Sequence, residues 1–358
     1  MKKYKYIIIG GGTTAGYAAI EFIRQGIKKG DLCIVSAESI LPMNLSPLSK
    51  EYLKDKNQDD ELLINHKEFY EQNGIDVLIK TIVKEVKFDE KIIELDDGES
   101  LQYEKLLIAT GSKSTQPDIS NENFENIFYL RNVKHSDKIR ERAEDAENAV
   151  VVGGGYLGTE TASVLTELGV KVTMIFPEDK LLAKFASDYI ANFFKEKFSE
   201  KRVVILFGEE VSGFYGNEEV EEVVLKSGKR VKTDMVIIGI GVEPNLKMFK
   251  DSHLNINTGI VVNKFCETNI PDVYAAGEVA EFPDILFDKI HHVENWEHAF
   301  EQGKHAAKVM TGKLDPYTFL PFFFFDVSYE YFGDNKTATD IINRGELEEG
   351  DFSNWWFN

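Results

Sequence analysis

Two segments of this sequence share one pattern, in which a short apolar stretch leads into clustered glycines and then into a stretch with helical spacing. They are Tyr6 to Ala19, YIIIGGGTTAGYAA, and Val150 to Ala162, VVVGGGYLGTETA. The β-branched residues predict a buried parallel strand, and the glycines let the backbone approach a pyrophosphate. The helix that follows points its N-terminal amides and its dipole at that charge. One such turn is a weak signal, but two in this context predict two nucleotide sites.

A longer template repeats along with the glycine turns. LDDGESLQYEKLLIATGSKSTQP and LKSGKRVKTDMVIIGIGVEPN each predict a short strand, a turn at glycine, a second strand and an apolar strand that ends at glycine. This repetition indicates an internal duplication of whole nucleotide-binding domains. Residues 268–279, TNIPDVYAAGEV, supply one more strand and glycine that neither repeat uses. We therefore expect the second domain to be inserted in the first.

Charge and cysteine content exclude several classes of function. The net charge of -20 argues against non-specific binding to nucleic acid or to an anionic membrane. Cys33 and Cys266 are the only cysteines and lie far apart in apolar contexts, so we expect a reducing compartment and no thiol–disulfide chemistry. The sequence enters its first strand at once and has no apolar run of membrane-spanning length, which predicts a cytoplasmic location. His291, His292 and His298 show no metal-ligand spacing, and we predict no metal site.

An acidic residue at the end of the second strand of a dinucleotide domain accepts hydrogen bonds from the adenosine ribose. Glu38 follows Gly16 at about the usual interval, although an unengaged surface glutamate is the alternative. In the second domain the sequence MIFPEDK places Glu178 at this position. Glu178 favours NADH, because the 2′-phosphate of NADPH binds Arg or Lys, while Lys180 leaves NADPH open.

Taken together, these motifs carry a family resemblance. GGGTTAG, ATG at 109–111, VVVGGGYLGTE and VYAAGE resemble, in order and spacing, the FAD- and NAD(P)-binding segments of the flavoprotein oxidoreductases that have two dinucleotide domains. Three further segments are similar to the branch that contains apoptosis-inducing factor and the ferredoxin reductases of oxygenase systems. They are SPLSKEYL at 46–53, VENWEHAFEQGKHAA at 293–307 and PFFFFD at 321–326.

The resemblance implies an α/β fold with two Rossmann-like dinucleotide-binding domains in a three-layer, glutathione-reductase-like arrangement. A length of 358 residues is consistent with two or three domains. We expect residues 1–115 and 246–315 to form a discontinuous FAD-binding domain and residues 116–245 an inserted NAD(P)H-binding domain. Residues 316–358 would form a short or truncated α+β C-terminal domain.

The resemblance also assigns residues to the two cofactors. The residues expected at FAD are Gly10, Gly12, Ala15, Gly16, Glu38, Ala109, Thr110, Gly111, Gly277, Glu278, Trp296 and Phe324. The residues expected at the nicotinamide nucleotide are Gly153, Gly155, Tyr156, Leu157, Gly158, Glu178 and Gly241. Glu278 stands where the family usually has Asp on the FAD ribityl chain, so a displaced contact is expected. Trp296 is either a wall of the flavin site or part of the core.

Lys50 and Glu160 are the residues to which the resemblance gives a catalytic role. Lys50 matches a family lysine beside the reactive edge of the flavin, and Glu160 matches a glutamate near the nicotinamide and that lysine. We expect them to form an ion pair, which is favourable only if both buried charges are matched. Without the SPLSK context, Lys50 would be an ordinary lysine at a helix start.

The sequence therefore predicts an FAD-dependent NAD(P)H oxidoreductase that prefers NADH and passes electrons to an external acceptor. A ferredoxin- or rubredoxin-type protein, a quinone and oxygen are the acceptors considered, and the acidity of the chain opposes an acidic protein partner. The alternative is a flavoprotein similar to apoptosis-inducing factor, whose redox state controls conformation or dimerisation with slow turnover. A homodimer is compatible with either function.

Overall fold

A computed structural model describes residues 1–55, 62–119, 124–184, 186–285, 288–319, 322–324, 330–332, 338–346 and 351–357. The chain divides into two compact units. The first unit is Met1–Ser46, Gln58–Lys113 and Val242–Leu320, and the second unit is Pro47–Asn57, Ser114–Gly241 and Pro321–Asn358. The second unit thus takes in Pro47–Asn57, a segment that the sequence assigned to the FAD-binding domain.

The strands, in chain order, are β1 (Lys2–Ile9), β2 (Leu32–Val35), β3 (Asp76–Leu78), β4 (Val83–Lys87), β5 (Ile92–Leu95), β6 (Ser100–Ile108), β7 (Ser112–Ser114), β8 (Ile127–Phe128), β9 (Asn148–Val152), β10 (Lys171–Phe176), β11 (Val204–Phe207), β12 (Val211–Gly216), β13 (Val220–Leu225), β14 (Arg230–Lys232), β15 (Met235–Ile238), β16 (Val242–Pro244), β17 (Ile260–Val261), β18 (Val273–Ala275), β19 (Ala280–Asp284), β20 (Lys289–His292), β21 (Phe322–Phe324), β22 (Glu330–Phe332), β23 (Asp340–Glu346) and β24 (Asp351–Phe357). The α-helices are α1 (Thr13–Arg24), α2 (Glu51–Lys54), α3 (Lys67–Asn73), α4 (Val133–Ala143), α5 (Tyr156–Glu167), α6 (Asp188–Glu200) and α7 (Trp296–Met310).

The first unit is built on a seven-stranded sheet of order β3-β2-β1-β6-β5-β4, with β18 also paired to β6. Strands β3, β2, β1, β6 and β18 run parallel, whereas β5 pairs antiparallel with β6, and β4 pairs antiparallel with β5. Ile9, the last residue of β1, pairs with Val35 on one side and with Ile108 on the other. The carboxyl ends of these strands therefore lie at one sheet edge, where doubly wound folds bind their ligands.

Packing in the first unit explains its apolar sequence. The isoleucines at 7 and 8 are completely buried because the sheet is covered on both faces. Helix α1 packs against α7, and a Cβ at Gly303 of α7 would lie 2.5 Å from the carbonyl oxygen of Thr14 in α1. Glycine at this point lets the two helices approach closely, which brings α7 to the same glycine turn as α1.

The second unit repeats the plan of the first. Its five-stranded sheet is parallel and has the order β11-β10-β9-β15-β8. Val152 at the end of β9 pairs with Ile175 of β10 and Ile238 of β15. A separate antiparallel sheet of β12, β13 and β14 contains the predicted hairpin. The predicted α/β class with two such dinucleotide folds is confirmed.

Smaller elements complete the two units. The first unit also has a sheet of order β17-β19-β20, and β7 pairs with β16. The pairs β21–β22 and β23–β24 are antiparallel and lie in the C-terminal segment that groups with the second unit. No helix in the part of the chain that the structure describes is long and apolar enough to cross a membrane.

Replacing Gly153 with Ala tests the closest backbone contact of the second unit. Gly153 has φ +127°, and a Cβ there would lie 2.2 Å from the carbonyl oxygen of Gly239. We expect Gly153→Ala to lower the free energy of unfolding by about 3 kcal/mol or more, because β9 and β15 must separate as well as accept backbone strain. Denaturant unfolding measures the change.

Gly228→Ala is the matched control for this experiment. Gly228 also has a positive φ, +87°, but a Cβ there would meet nothing within 4 Å. Its expected cost is the backbone strain alone, about 1 kcal/mol. Equal losses in the two variants would contradict a role for the contact with Gly239.

Candidate functional site

The first glycine turn lies at the carboxyl end of β1 and leads into α1. Gly10 has φ +139°, and a Cβ there would lie 2.1 Å from the carbonyl oxygen of Ala109. Gly12 is the N-cap of α1, and the first turn of that helix contains no acidic residue. Ala15 and Gly16 are buried in the same turn. The amides and dipole of α1 are thus presented to an anion, as a pyrophosphate site requires.

Glu38 lies beside this turn, three residues after β2 ends. A Cβ at Gly11 would be 3.6 Å from Cγ of Glu38 and would overlap Oγ of Ser36. The backbone N–H of Glu38 donates to Oγ of Ser36 at 3.1 Å. The structure therefore places the predicted ribose-binding carboxylate next to the glycine turn.

The segment from Ala109 to Gly111 reaches the same edge of the sheet from β6. The carbonyl oxygen of Thr110 accepts a hydrogen bond of 2.8 Å from Nδ2 of Asn245, and the N–H of Asn245 donates to the carbonyl of Gly111. Asn245 was not predicted as a site residue. Its only signal in the sequence is its place at the end of the repeated template, GVEPN.

Gly277 and Glu278 follow β18 and complete the first unit's candidate site. Gly277 N–H donates to Oε1 of the buried Gln302, and a Cβ at Gly277 would lie 2.2 Å from Oγ1 of Thr14. Oε2 of Glu278 accepts a 2.5 Å hydrogen bond from Oγ of Ser112. Ser112, the partner of this carboxylate, was not predicted as a site residue.

Trp296 begins α7 and is not a core residue. Its side chain remains 42% exposed, which excludes the interpretation as core. Nε1 donates to Oδ1 of Asn44 at 3.0 Å, and the indole stacks on Phe300 with an interplanar angle of 2°. Phe324 lies in β21, but its side chain is outside the described residues.

The second glycine turn has the same geometry as the first. Gly155 is the N-cap of α5, which begins at Tyr156, and a Cβ at Gly155 would meet nothing within 4 Å. Gly158 lies against the carbonyl oxygen of Gly153, at 2.2 Å from a hypothetical Cβ. Leu157 packs over Gly239. The open space at Gly155 leaves room for a dinucleotide to approach the helix N-terminus.

Gly241, the last predicted residue of this site, follows β15 two residues after Gly239. Its φ is +120°, and its carbonyl oxygen accepts a hydrogen bond of 3.0 Å from the N–H of Thr115. The carboxyl ends of β9 and β15 thus both finish in glycines at one edge of the sheet.

Glu178 is exposed two residues beyond β10, and its carbonyl oxygen accepts a hydrogen bond from the N–H of Gly208. Lys180, the nearby cation, forms a 2.7 Å ion pair with Asp188 in the first turn of α6. A cavity of about 280 Å³ opens at this end of β10 and β11, with Lys180 and Phe207 among its lining residues.

The structure brings Lys50 and Glu160 together within the second unit. Nζ of Lys50 lies 3.3 Å from Oε1 of Glu160, and the two side chains are 11% and 14% exposed. Oε2 of the same carboxylate accepts a 2.6 Å hydrogen bond from Oγ of Ser49. Glu160 lies about one helical turn after Tyr156, so the ion pair stands beside the second glycine turn.

Helix α4 holds the segment that carries Lys50. Oγ of Ser136 donates to the carbonyl oxygen of Leu48 at 2.9 Å, and Nη1 of the buried Arg140 donates to that of Tyr52 at 2.7 Å. Oη of Tyr52 donates to Oδ1 of Asp137 at 3.0 Å. These contacts fix the backbone on both sides of Lys50.

Buried titratable groups of the first unit are held in neutral forms. Burial raises the pKa of Cys33 to about 12 and also raises the pKa of Cys266, and neither cysteine forms a disulfide. Burial lowers the pKa of His298 to about 3, and its Nδ1 lies 3.1 Å from the hydroxyl of Tyr317. No group of three or more His, Cys, Asp or Glu side chains suited to a metal ion occurs among the described residues.

A family model described as pyridine nucleotide-disulphide oxidoreductase matches residues 4–303. The chain belongs to this family. The predicted family, with its ferredoxin reductase-like character, is confirmed by this match and by the relatives.

The chain is similar over almost its whole length to plant proteins. Monodehydroascorbate reductase of Pisum sativum is 36% identical over 382 residues, which cover 99% of this chain and 88% of that protein. Peroxisomal monodehydroascorbate reductase 1 of Arabidopsis thaliana is 36% identical over 361 residues, which cover 93% of this chain and 83% of that protein.

Solved structures show the same fold. The ferredoxin reductase for the CYP199A2 system of Rhodopseudomonas palustris has a TM-score of 0.94 at 25% identity, covering 99% of this chain and 88% of that one. Putidaredoxin reductase, in a covalent complex with putidaredoxin, has a TM-score of 0.93 at 28% identity, covering 99% and 87%.

The family match and these relatives show that the chain is an FAD-dependent NAD(P)H oxidoreductase. It passes electrons to an external acceptor. Disulfide reduction is not its chemistry, because reactive cysteines are thiolates in exposed, electropositive surroundings, whereas Cys33 and Cys266 are buried and protonated.

Ser112→Ala tests whether the Glu278 carboxylate contributes to FAD binding. Ser112 supplies a hydrogen bond to this carboxylate, and hydrogen bonds to charged groups contribute about 1.5–3 kcal/mol. We expect the dissociation constant of FAD to rise about tenfold or more. The fluorescence of released FAD measures it, with Ser212→Ala in the second unit as control. An unchanged FAD affinity would show that the hydrogen bond from Ser112 to Glu278 does not contribute to FAD binding.

Proposed function

We propose that this chain is an NADH-dependent reductase of a small organic radical of the monodehydroascorbate type. The observation that carries the proposal is the Lys50–Glu160 ion pair beside the second glycine turn. Apolar residues at these two positions would stabilise the fold as well as or better than a buried, matched pair of charges. It is the arrangement expected of a site that stabilises developing charge.

The residues around the two glycine turns fit two dinucleotides. Gly10 and Gly153 take conformations that a side chain would strain, and Gly155 leaves open space at a helix N-terminus. In the first unit, Glu38 beside the turn would hold the adenosine ribose of FAD, while Gly277 and Glu278 lie at the same sheet edge. The chemistry that FAD supplies when bound is acceptance of a hydride from NADH and release of single electrons to the acceptor.

Lys50 and Glu160 contribute a fixed pair of charges to this reaction. Oε1 of Glu160 is engaged by Lys50, so neither side chain has to reorganise when charge changes nearby. Fixed charges in a partly buried place interact more strongly with nearby charges than they would in water. We propose that Glu160 orients the nicotinamide end of the dinucleotide. We propose that Lys50 stabilises the negative charge that develops on the group that accepts the electrons.

Two features around β10 support NADH over NADPH. Glu178 is the acidic residue after this strand, where a free 2′-hydroxyl finds an acceptor and a 2′-phosphate is repelled. Lys180, which could bind that phosphate, is already paired with Asp188 at 2.7 Å. The Asp188 side chain is 87% exposed, so the pair is weak and lowers the attraction of Lys180 for a phosphate without abolishing it.

The acceptor is proposed from similarity and charge together. The plant relatives at 36% identity are named for monodehydroascorbate, whereas the solved neighbours at 25% and 28% are named for ferredoxin or putidaredoxin systems. The net charge of -20 repels an acidic electron-transfer protein over a long range. A small radical presents much less charge to that field, which favours it as the acceptor. Cytoplasmic location and homodimer formation stay predictions.

The test of the function is stopped-flow reduction followed by an acceptor screen. The purified yellow protein is mixed anaerobically with NADH and then with ascorbate radical, a quinone or a ferredoxin. We expect rapid bleaching of the flavin absorbance and reoxidation at least about 100-fold more efficient with the radical than with ferredoxin. Faster reoxidation by ferredoxin would contradict the proposed acceptor. Slow reoxidation by every acceptor would favour the redox-controlled conformational function.

Glu178→Arg tests the choice between NADH and NADPH. The substitution replaces a repelling carboxylate with a cation that binds phosphate, so we expect the ratio of kcat/KM for NADH to that for NADPH to fall at least about 30-fold. Asp188→Asn, which releases Lys180 from its partner, should move the ratio in the same direction by a few-fold. A ratio unchanged in Glu178→Arg would show that another residue recognises the ribose.

A further inference from the structure

The carboxylate of Glu160 is held by two consecutive residues of one segment. Lys50 Nζ lies 3.3 Å from Oε1, and Ser49 Oγ donates to Oε2 at 2.6 Å. Ser49 is itself buried, with 5% of its surface exposed. The two oxygens of Glu160 therefore have different partners, a cation on one and a hydroxyl on the other. Such an arrangement fixes the rotation of the carboxylate, which a single contact to Lys50 would leave variable.

The backbone on both sides of Ser49 is held by hydrogen bonds. Ser49 is the last residue of a 3-10 turn, Ser46–Ser49, and Lys50 N–H donates to the carbonyl of Pro47 at 3.0 Å. The preceding carbonyl, that of Leu48, accepts from Ser136 of α4 at 2.9 Å. The backbone next to Ser49 is thus held by α4, and from this position the Ser49 hydroxyl contacts Glu160 of α5.

We infer that Ser49 is a positioning residue, which sets the orientation of the Glu160 carboxylate and through it the place of the Lys50 ammonium group. The inference rests on the proposed function, because an oriented pair of charges affects the rate only where charge develops during the reaction. In hydride transfer, small displacements of positioned groups cause large losses of rate. Ser49 acts through Glu160 and Lys50, and no contact of its own with the cofactors is required.

The rate of flavin reduction is the first measurement. We expect Ser49→Ala to lower the limiting rate of reduction by NADH about tenfold, with the dissociation constant of NADH changed less than about threefold, because a hydrogen bond to a charged group is lost. Ser49→Thr keeps the hydroxyl and should recover most of the rate. Ser212→Ala removes a hydroxyl of β12 that donates to the carbonyl oxygen of Val224 at 3.0 Å, does not touch this segment and serves as the structural control.

The reactivity of the Lys50 amine is the second measurement and does not depend on turnover. Labelling by an amine-directed reagent, followed by mass spectrometry, should be several-fold faster at Lys50 in Ser49→Ala than in the unaltered protein. Lys54, which pairs with Glu167 at 2.7 Å and is 56% exposed, is the internal reference and should not change. Faster labelling at both lysines would mean general loosening of the segment and would overturn the inference.

The two measurements separate this inference from the proposed function. If neither NADH nor NADPH reduces the unaltered protein, the proposed function fails, while Lys50 labelling still decides whether Ser49 positions the pair. If the unaltered protein is reduced and Ser49→Ala is reduced equally fast, the inference is wrong. Ser49→Cys, similar in size and a weaker donor, replaces Ser49→Ala if that variant does not retain FAD.

Discussion

Both dinucleotide folds depend on a glycine that lies in contact with a backbone carbonyl of the neighbouring strand. A Cβ at Gly10 would lie 2.1 Å from the oxygen of Ala109, and a Cβ at Gly153 would lie 2.2 Å from that of Gly239. Because this contact tolerates no side chain, the turn after the first strand of each unit stays close to the sheet. The following helix then begins at the carboxyl edge of the sheet, where its amides can meet a pyrophosphate.

The remaining groups of each candidate site assemble around that edge from distant parts of the sequence. In the first unit, Asn245 and Gln302 hold the backbone of residues 110–111 and 277. In the second unit, a segment from the loop after β2 supplies Lys50 and Ser49 to Glu160 of α5. Residues adjacent in sequence are thus divided between the two units, and Pro47–Asn57, which carries Lys50, belongs to the same unit as Glu160.

The proposed cofactor sites and the proposed acceptor depend on different properties of this molecule. The proposed FAD site is defined by backbone geometry and by hydrogen bonds such as the one that Ser112 donates to Glu278. The proposed choice of acceptor rests on the net charge of the chain, which is -20. The solved structures that share the fold of this chain at TM-scores of 0.94 and 0.93 are named for ferredoxin and putidaredoxin systems, whereas the plant relatives are named for monodehydroascorbate.

The sequence by itself determined the α/β fold, its duplication and both glycine turns, because strand and glycine patterns are local and fix the backbone directly. The resemblance also pointed to Lys50 and Glu160 together. Only the tertiary structure showed that Ser49, Ser112 and Asn245 hold the site residues, that Asp188 engages Lys180, and that Trp296 is exposed. The contacts of Ser49, Ser112 and Asn245 join residues separated by 111, 166 and 135 positions in the chain. No local pattern encodes which side chains such packing will bring together.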